Sequence, residues 1–126
     1  MLVERDDRAR GLARFVLNNH GFRVIEADNA ETALLLWAGQ AKGADLLLVD
    51  LNLSKGSAGP TLASQFIEAK PTLKVLYSFT PDVAEGEEPA NPGSFGGIEV
   101  IAKPFTPERL LQRVEACLGN VSASVS

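Results

Sequence analysis

The sequence predicts a doubly wound α/β domain built on a five-stranded parallel sheet, and three observations carry that expectation. Short apolar runs alternate with longer segments whose apolar residues recur at helical spacing, the pattern of repeated strand–helix units rather than of a sandwich or a bundle. The central run, Leu46-Leu47-Leu48-Val49, offers no polar residue to either face, as expected of a strand covered by helices on both sides. That run ends on a carboxylate, Asp50, followed by the small-residue loop Ser54-Lys55-Gly56-Ser57-Ala58-Gly59. Ligands of such sheets bind in the crevice beyond the carboxyl ends of the strands, so Asp50 is delivered where chemistry is done.

Each element has its own signal. Met1-Leu2-Val3 is a first strand, clipped at its start and ending at Glu4. Asp6 or Asp7 caps the first helix, in which Ala9, Leu12, Ala13, Val16, Leu17 and His20 form one mainly apolar stripe. Gly21 suits the left-handed residue just past its end. Residues 22–25 make a second strand, with β-branched Val24 and Ile25. Asn29 caps a second helix with Ala30, Ala33, Leu34, Trp37 and Ala41 on its inner face, and Gly43 closes it. After Asp50, Pro60 sits in the first turn of a third helix that buries Leu62, Ala63, Phe66 and Ile67 and stops before Pro71.

Residues 73–77 form a fourth strand, ending near Ser78-Phe79-Thr80. Residues 81–97 hold three prolines and four glycines, so the helix due there is degenerate, with at most one turn at residues 82–85. Residues 98–102 give a fifth strand, followed by Lys103-Pro104-Phe105. Thr106 then caps a last helix with Pro107 at its first position, Leu110, Leu111, Val114 and Leu118 on its apolar face, and Gly119 at its end. Right-handed crossovers put helices on both faces. The expected division is one domain at residues 1–119 and a flexible tail at residues 120–126.

Composition narrows the function. With 126 residues, 45% of them apolar, the chain is long enough for one hydrophobic core. A formal charge of −4 gives no general attraction to nucleic acid or to an acidic membrane surface. Cys117 is the single cysteine, which excludes an internal disulfide and a cysteine-rich zinc site, and the one histidine, His20, leaves little room for a histidine metal centre. His20 reads instead as a helix C-terminal residue favoured by the dipole. No apolar run approaches the ~20 residues of a membrane span, and the start of the chain lacks a signal peptide's apolar core. A cytoplasmic domain with no membrane partner is expected.

The strand ends bring Glu4, Asp50, residues 78–80 and Lys103 to one edge of the sheet. Two carboxylates and an ammonium at one place suit a small anion held with a hard cation. Mg²⁺ prefers oxygen ligands and keeps several waters, so one or two carboxylates and a carbonyl suffice. Asp50 is placed to attack a phosphoryl group and form an aspartyl phosphate, with metal and Lys103 neutralising charge and a hydroxyl of Ser78 or Thr80 binding the phosphate. Glu4 is the second carboxylate, and Asp6 or Asp7 is a further candidate metal ligand.

Several of these pieces, in this order and spacing, resemble the receiver domain of bacterial two-component response regulators. They are the acidic turn after the first strand, Leu-Leu-Leu-Val-Asp at 46–50, Gly59 after it, and Lys103-Pro104-Phe105 after the fifth strand. The resemblance covers residues 1–119. It implies a flavodoxin-like strand order 2-1-3-4-5 with the site between strands one and three. It also implies Asp50 as phosphoacceptor, Lys103 as the phosphate-binding cation, and the Asn52 backbone carbonyl, with Glu4 and Asp50, as ligands of Mg²⁺. A histidine kinase or phosphotransfer protein is then the phosphodonor. The chain carries no output domain of its own, so output passes through a partner or a region beyond these residues.

Departures from that pattern point to a rival. Counting back from Gly21 puts Glu4 and Arg5 where two acidic residues are usual, and a cation at Arg5 weakens the expected Mg²⁺ affinity. Counting from Pro71 puts Phe79 at the usual Ser/Thr position, and the usually aromatic position three before the lysine is Val100. These favour a pseudo-receiver, a protein-interaction module with the same fold that does not switch by phosphorylation. A flavodoxin-like cofactor binder is disfavoured, because no glycine-rich or hydroxyl-rich phosphate loop follows the first strand.

Overall fold

The strand β3 (Leu46–Asp50) takes the centre of the sheet because its side chains leave no face for water: Leu47 and Val49 are buried against one layer of helices and Leu48 against the other. In this computed structural model, which describes residues 1–41, 43–51, 53, 58–81, 94–95 and 98–119, β3 pairs in parallel with β1 (Leu2–Val3) and β4 (Lys74–Phe79). Beyond β1 lies β2 (Glu26–Ala27), and beyond β4 lies β6 (Ile98–Ala102), both parallel. These five strands have the predicted order 2-1-3-4-5. A two-residue strand, β5 (Ser94–Phe95), adds to the outer edge antiparallel to β6, which the sequence reading did not anticipate.

Strand alternation sorts the core into two layers. Val3, Val49, Tyr77 and Val100 face α2 (Ala30–Leu36) and α3 (Ala58–Ala69), where Ala33, Leu62, Ala63 and Phe66 close the layer. Leu2, Leu48, Leu76 and Ile101 face α1 (Asp7–Asn19) and α4 (Pro107–Leu118), against Ala13, Val16, Leu17, Leu110 and Val114. α2 passes into a π-helical turn at Trp37–Ala41, and the Trp37 ring lies flat on Phe66, with centroids 4.3 Å apart and planes within 9°.

The predicted caps are in place. Asp6 Oδ1 accepts the Arg8 N–H at 2.9 Å, Asn29 Oδ1 accepts that of Thr32 at 2.8 Å, and Thr106 Oγ1 accepts that of Arg109 at 3.1 Å. Gly119 ends α4 in the left-handed conformation at φ 76°. Gly21 follows α1 at φ 86°, with nothing within 4 Å of where a Cβ would stand. Gly21→Ala is therefore expected to lower the unfolding free energy by about 1 kcal/mol through backbone strain alone. Gly11→Ala, inside α1 and equally open, is expected to raise it by about 0.5–1 kcal/mol. Denaturant midpoints check both, and a stabilised Gly21→Ala would refute the backbone argument.

Three expectations need correction. The second strand is Glu26–Ala27 rather than residues 22–25, because β1 offers only Leu2 and Val3 as ladder partners and these pair with Glu26 and Ala27. Leu34 and Ile67 are exposed, at 41% and 38%, rather than inward. Each lies about 100° round its helix from a buried neighbour, Ala33 or Phe66, which already points at the sheet. The fourth strand begins at Lys74 and runs two residues further than predicted, to Phe79. Asn52, loop residues 54–57, residues 82–93 and 96–97 of the 81–97 stretch expected to hold a degenerate fourth helix, and the tail at 120–126 lie outside the described residues.

Candidate functional site

Glu4 follows β1 directly, and its backbone is held on both sides. Its N–H donates to the Ala27 carbonyl at 3.0 Å, and its carbonyl accepts from Arg10 Nη1 at 3.0 Å. The residue is only 3% exposed. Burial of a carboxylate demands partners, and four donor contacts supply them. Oε1 accepts from Ser78 Oγ at 3.1 Å and from Lys103 Nζ at 3.2 Å; Oε2 accepts from Lys103 Nζ at 3.1 Å and from the Asp6 N–H at 3.1 Å.

Asp50, at the end of β3, is buried as well, and its Oδ2 accepts from Lys103 Nζ at 3.2 Å. Ser78 on β4 is its direct partner in register. Lys103 follows β6; its N–H continues the ladder to the Phe79 carbonyl at 2.7 Å, and its peptide bond to Pro104 is cis. One ammonium thus bridges two buried carboxylates. Burial pushes the Glu4 carboxyl above its ordinary 4.5, and the neighbouring Asp50 carboxylate adds to the rise. The Asp6 N–H and the Lys103 charge oppose it.

The structure brings together Glu4, Asp50, Ser78 and Lys103 of the predicted set. Thr80 is exposed on the rim of a cavity of about 340 Å³ that Asp6, Arg8, Leu12, Lys103 and Phe105 also line. Ser78 shares the face of Leu76 and so points at Glu4, whereas Phe79 is half-buried against the opposite layer. Asp6 spends its carboxylate on the cap of α1. Arg5 is exposed beside Glu4, and Asn52 is outside the described residues. A larger cavity, about 420 Å³, lies at the opposite end of the sheet among Met1, Phe22, Asp45 and Leu118, and neither Glu4 nor Asp50 lines it.

Glu4 and Asp50 offer the hard oxygen donors Mg²⁺ prefers, and two carboxylates fit an ion that keeps several of its waters. Among the described residues no third His, Cys, Asp or Glu joins them. Arg10 is a residue the sequence reading missed. Besides the Glu4 carbonyl it holds Asp7 Oδ1 at 2.6 Å through Nη2 and Glu26 Oε1 at 3.2 Å through Nε. The available signal was an arginine three residues after Asp7, beside the apolar stripe of α1.

Residues 1–115 match the family model for the response regulator receiver domain. Over 124 residues the chain is 31% identical to the transcriptional regulatory protein ResD of Bacillus subtilis, covering 97% of this chain and 48% of that protein. It is 30% identical over 126 residues to the transcriptional regulatory protein SrrA of Staphylococcus aureus, covering 98% of this chain and 49% of that one. The chain spans about half the length of these curated relatives. The receiver domain of the hybrid histidine kinase CckA superposes with a TM-score of 0.71 at 28% identity, covering 93% of this chain and 95% of that one. The receiver domain of NtrX from Brucella abortus shares the fold with a TM-score of 0.71 at 21% identity, over 94% of this chain and 96% of that one. None of the described helices is long and apolar enough to cross a membrane. With the sheet order in agreement with the match, this chain belongs to the response regulator receiver domain family, a signalling domain of two-component systems rather than a classical enzyme.

Proposed function

We propose that Asp50 accepts a phosphoryl group from a histidine kinase or a phosphotransfer protein. The observation that carries this reading is the Lys103 ammonium, 3.2 Å from Asp50 Oδ2 and largely shielded from water. A carboxylate oxygen of Asp50 attacks the phosphorus of the donor's phosphohistidine. The new P–O bond forms as the P–N bond breaks, and the electron pair stays on the imidazole nitrogen. Lys103 is preorganised to neutralise charge on the phosphoryl oxygens at no reorganisation cost. The Ser78 hydroxyl, now donating to Glu4 and opposite Asp50 in register, is the hydroxyl donor for a phosphoryl oxygen, with Thr80 as the outer candidate. Glu4 and Asp50, with the Asn52 carbonyl that the resemblance implies, would hold a divalent cation, which would supply further neutralisation. The protein's own part in turnover is limited to its phosphorylation and dephosphorylation.

The domain unit in this reading is residues 1–119, working in the cytoplasm. Its charge of −4 supports a domain that does not itself bind nucleic acid. The phosphorylation-independent module is the second reading, favoured by Phe79 packing into the layer of α2 and α3 and by Val100 being buried opposite Tyr77. Acetyl phosphate with Mg²⁺ tests the choice. Intact mass should show a single phosphoryl adduct, with amide shifts changing around Asp50, Ser78 and Lys103. No adduct, together with a binding partner that takes Asp50→Asn as readily as wild type, leaves the second reading standing.

The cation is tested separately. Arg5 is exposed, so its repulsion of a bound divalent ion acts through water, about 2 kcal/mol at a separation of ~4 Å before salt screening. Arg5→Asp reverses that charge and is expected to tighten Mg²⁺ binding by about fivefold or more. An unchanged Mg²⁺ titration would show that the Arg5 side chain points away from the site.

A further inference from the structure

We infer that Arg10 is a positioning residue for the acidic site, acting through the backbone of Glu4. β1 and β2 pair in parallel with Leu2 opposite Glu26 and Val3 opposite Ala27. Where the Glu4 N–H donates to Ala27, a continuing parallel ladder would bring the Asn29 N–H to the Glu4 carbonyl. Asn29 is already the N-cap of α2, where the chain turns out of the sheet. The Arg10 guanidinium stands in at that carbonyl, Nη1 at 3.0 Å. A buried carbonyl left without a donor is costly, so the β1 end depends on this contact.

The guanidinium is aimed by its other nitrogens. Nη2 donates to Asp7 at the start of α1, and Nε donates to Glu26 on β2, whose carboxylate Arg14 Nη1 also holds at 3.0 and 3.2 Å. The Arg10 side chain is 18% exposed. Three acceptors on three elements fit a planar fork and not an ammonium, so lysine is a poor substitute. Arg10 reaches the site through the Glu4 carbonyl, and its other partners are Asp7 and Glu26. Its effect is to fix Glu4 between β2 and α1, so that both carboxylate oxygens meet the Lys103 ammonium. The inference rests on the proposed phosphoacceptor role only where phosphoryl uptake is the readout.

The test compares Arg10→Leu, Arg10→Lys and Glu26→Gln in the whole chain. Glu26→Gln removes the charge from the same ionic cluster but keeps a side-chain oxygen that can accept from Arg10 Nε, so the guanidinium stays aimed at the Glu4 carbonyl and the variant reports a purely structural loss. The first readout is the Lys103 ammonium signal by ¹H–¹⁵N NMR, which needs no phosphorylation. It should persist unchanged in Glu26→Gln, and shift or vanish in Arg10→Leu. The second is the initial rate of uptake from acetyl phosphate, expected to fall about tenfold or more in Arg10→Leu, to recover only in part in Arg10→Lys, and to hold in Glu26→Gln. A Lys103 signal unaltered in Arg10→Leu overturns the inference, as does an equal change in Glu26→Gln. Wild-type protein that takes up no phosphoryl group sinks the phosphoacceptor role, and the NMR comparison still decides for or against Arg10.

Discussion

Asp50→Asn is expected to abolish phosphoryl uptake at this site while leaving the domain folded and slightly more stable near neutral pH. The amide is nearly isosteric with the carboxylate but carries no charge, and it is a poor nucleophile toward phosphorus. Its oxygen can still accept from Lys103 Nζ, so the contact at the end of β3 is kept in neutral form. The charge balance improves. The wild-type cluster sets two buried carboxylates, Glu4 and Asp50, against one ammonium. The variant leaves Glu4 and Lys103 as a matched pair, and removes one of the influences that raise the Glu4 carboxyl. Intact mass after acetyl phosphate treatment measures the first effect and a urea titration the second. An adduct of wild-type amount on the variant would place the accepting group elsewhere. An unfolded variant would show that the Asp50 charge is needed to balance Lys103 structurally.

The meeting of Asp50 and Lys103 was legible in the sequence because each follows buried apolar residues of a strand. Asp50 closes the apolar run 46–49 and Lys103 follows the buried apolar residues Val100, Ile101 and Ala102, and buried strand ends deliver their next residue to one sheet edge. The choice between the two hydroxyls was not legible, since Ser78 and Thr80 have the same parity. It turns on where β4 ends: Ser78 is still inside the ladder, opposite Asp50, and Thr80 is beyond it. The position of β2 was misread for a related reason. The β-branched residues Val24 and Ile25 signal a strand, but the two-residue length of β1 decides which of their neighbours find ladder partners. Arg10 lay deeper still, because its role exists only once β1, β2 and α1 have been brought together.

Lys103→Met is expected to destabilise the fold by about 3 kcal/mol or more near neutral pH, the usual range when one partner of a buried ion pair is removed. Methionine fills much of the lysine's volume, so the loss is electrostatic rather than a cavity. Glu4 and Asp50 are left facing each other out of water without their shared cation, and like charges in that position cannot both stay ionised cheaply. The pH dependence follows from the direction of the Glu4 shift. Its folded-state carboxyl already titrates above its ordinary 4.5, through burial first and Asp50 next, and Lys103 is one of the groups that hold it down. A carboxyl raised on folding contributes stability that is complete below the unfolded value and is lost as pH rises through the folded one. Removing Lys103 raises Glu4 further, so the gap between Lys103→Met and wild type should be small near pH 4 and widen toward about pH 8. Adding Asp50→Asn to the methionine variant removes one of the opposed carboxylates and should recover much of the loss, a strongly non-additive pair. Urea titrations of the four proteins across that pH range measure both effects. A deficit that is flat with pH and additive with Asp50→Asn would mean that the lysine's contribution is packing, and that the two carboxylates do not share its charge.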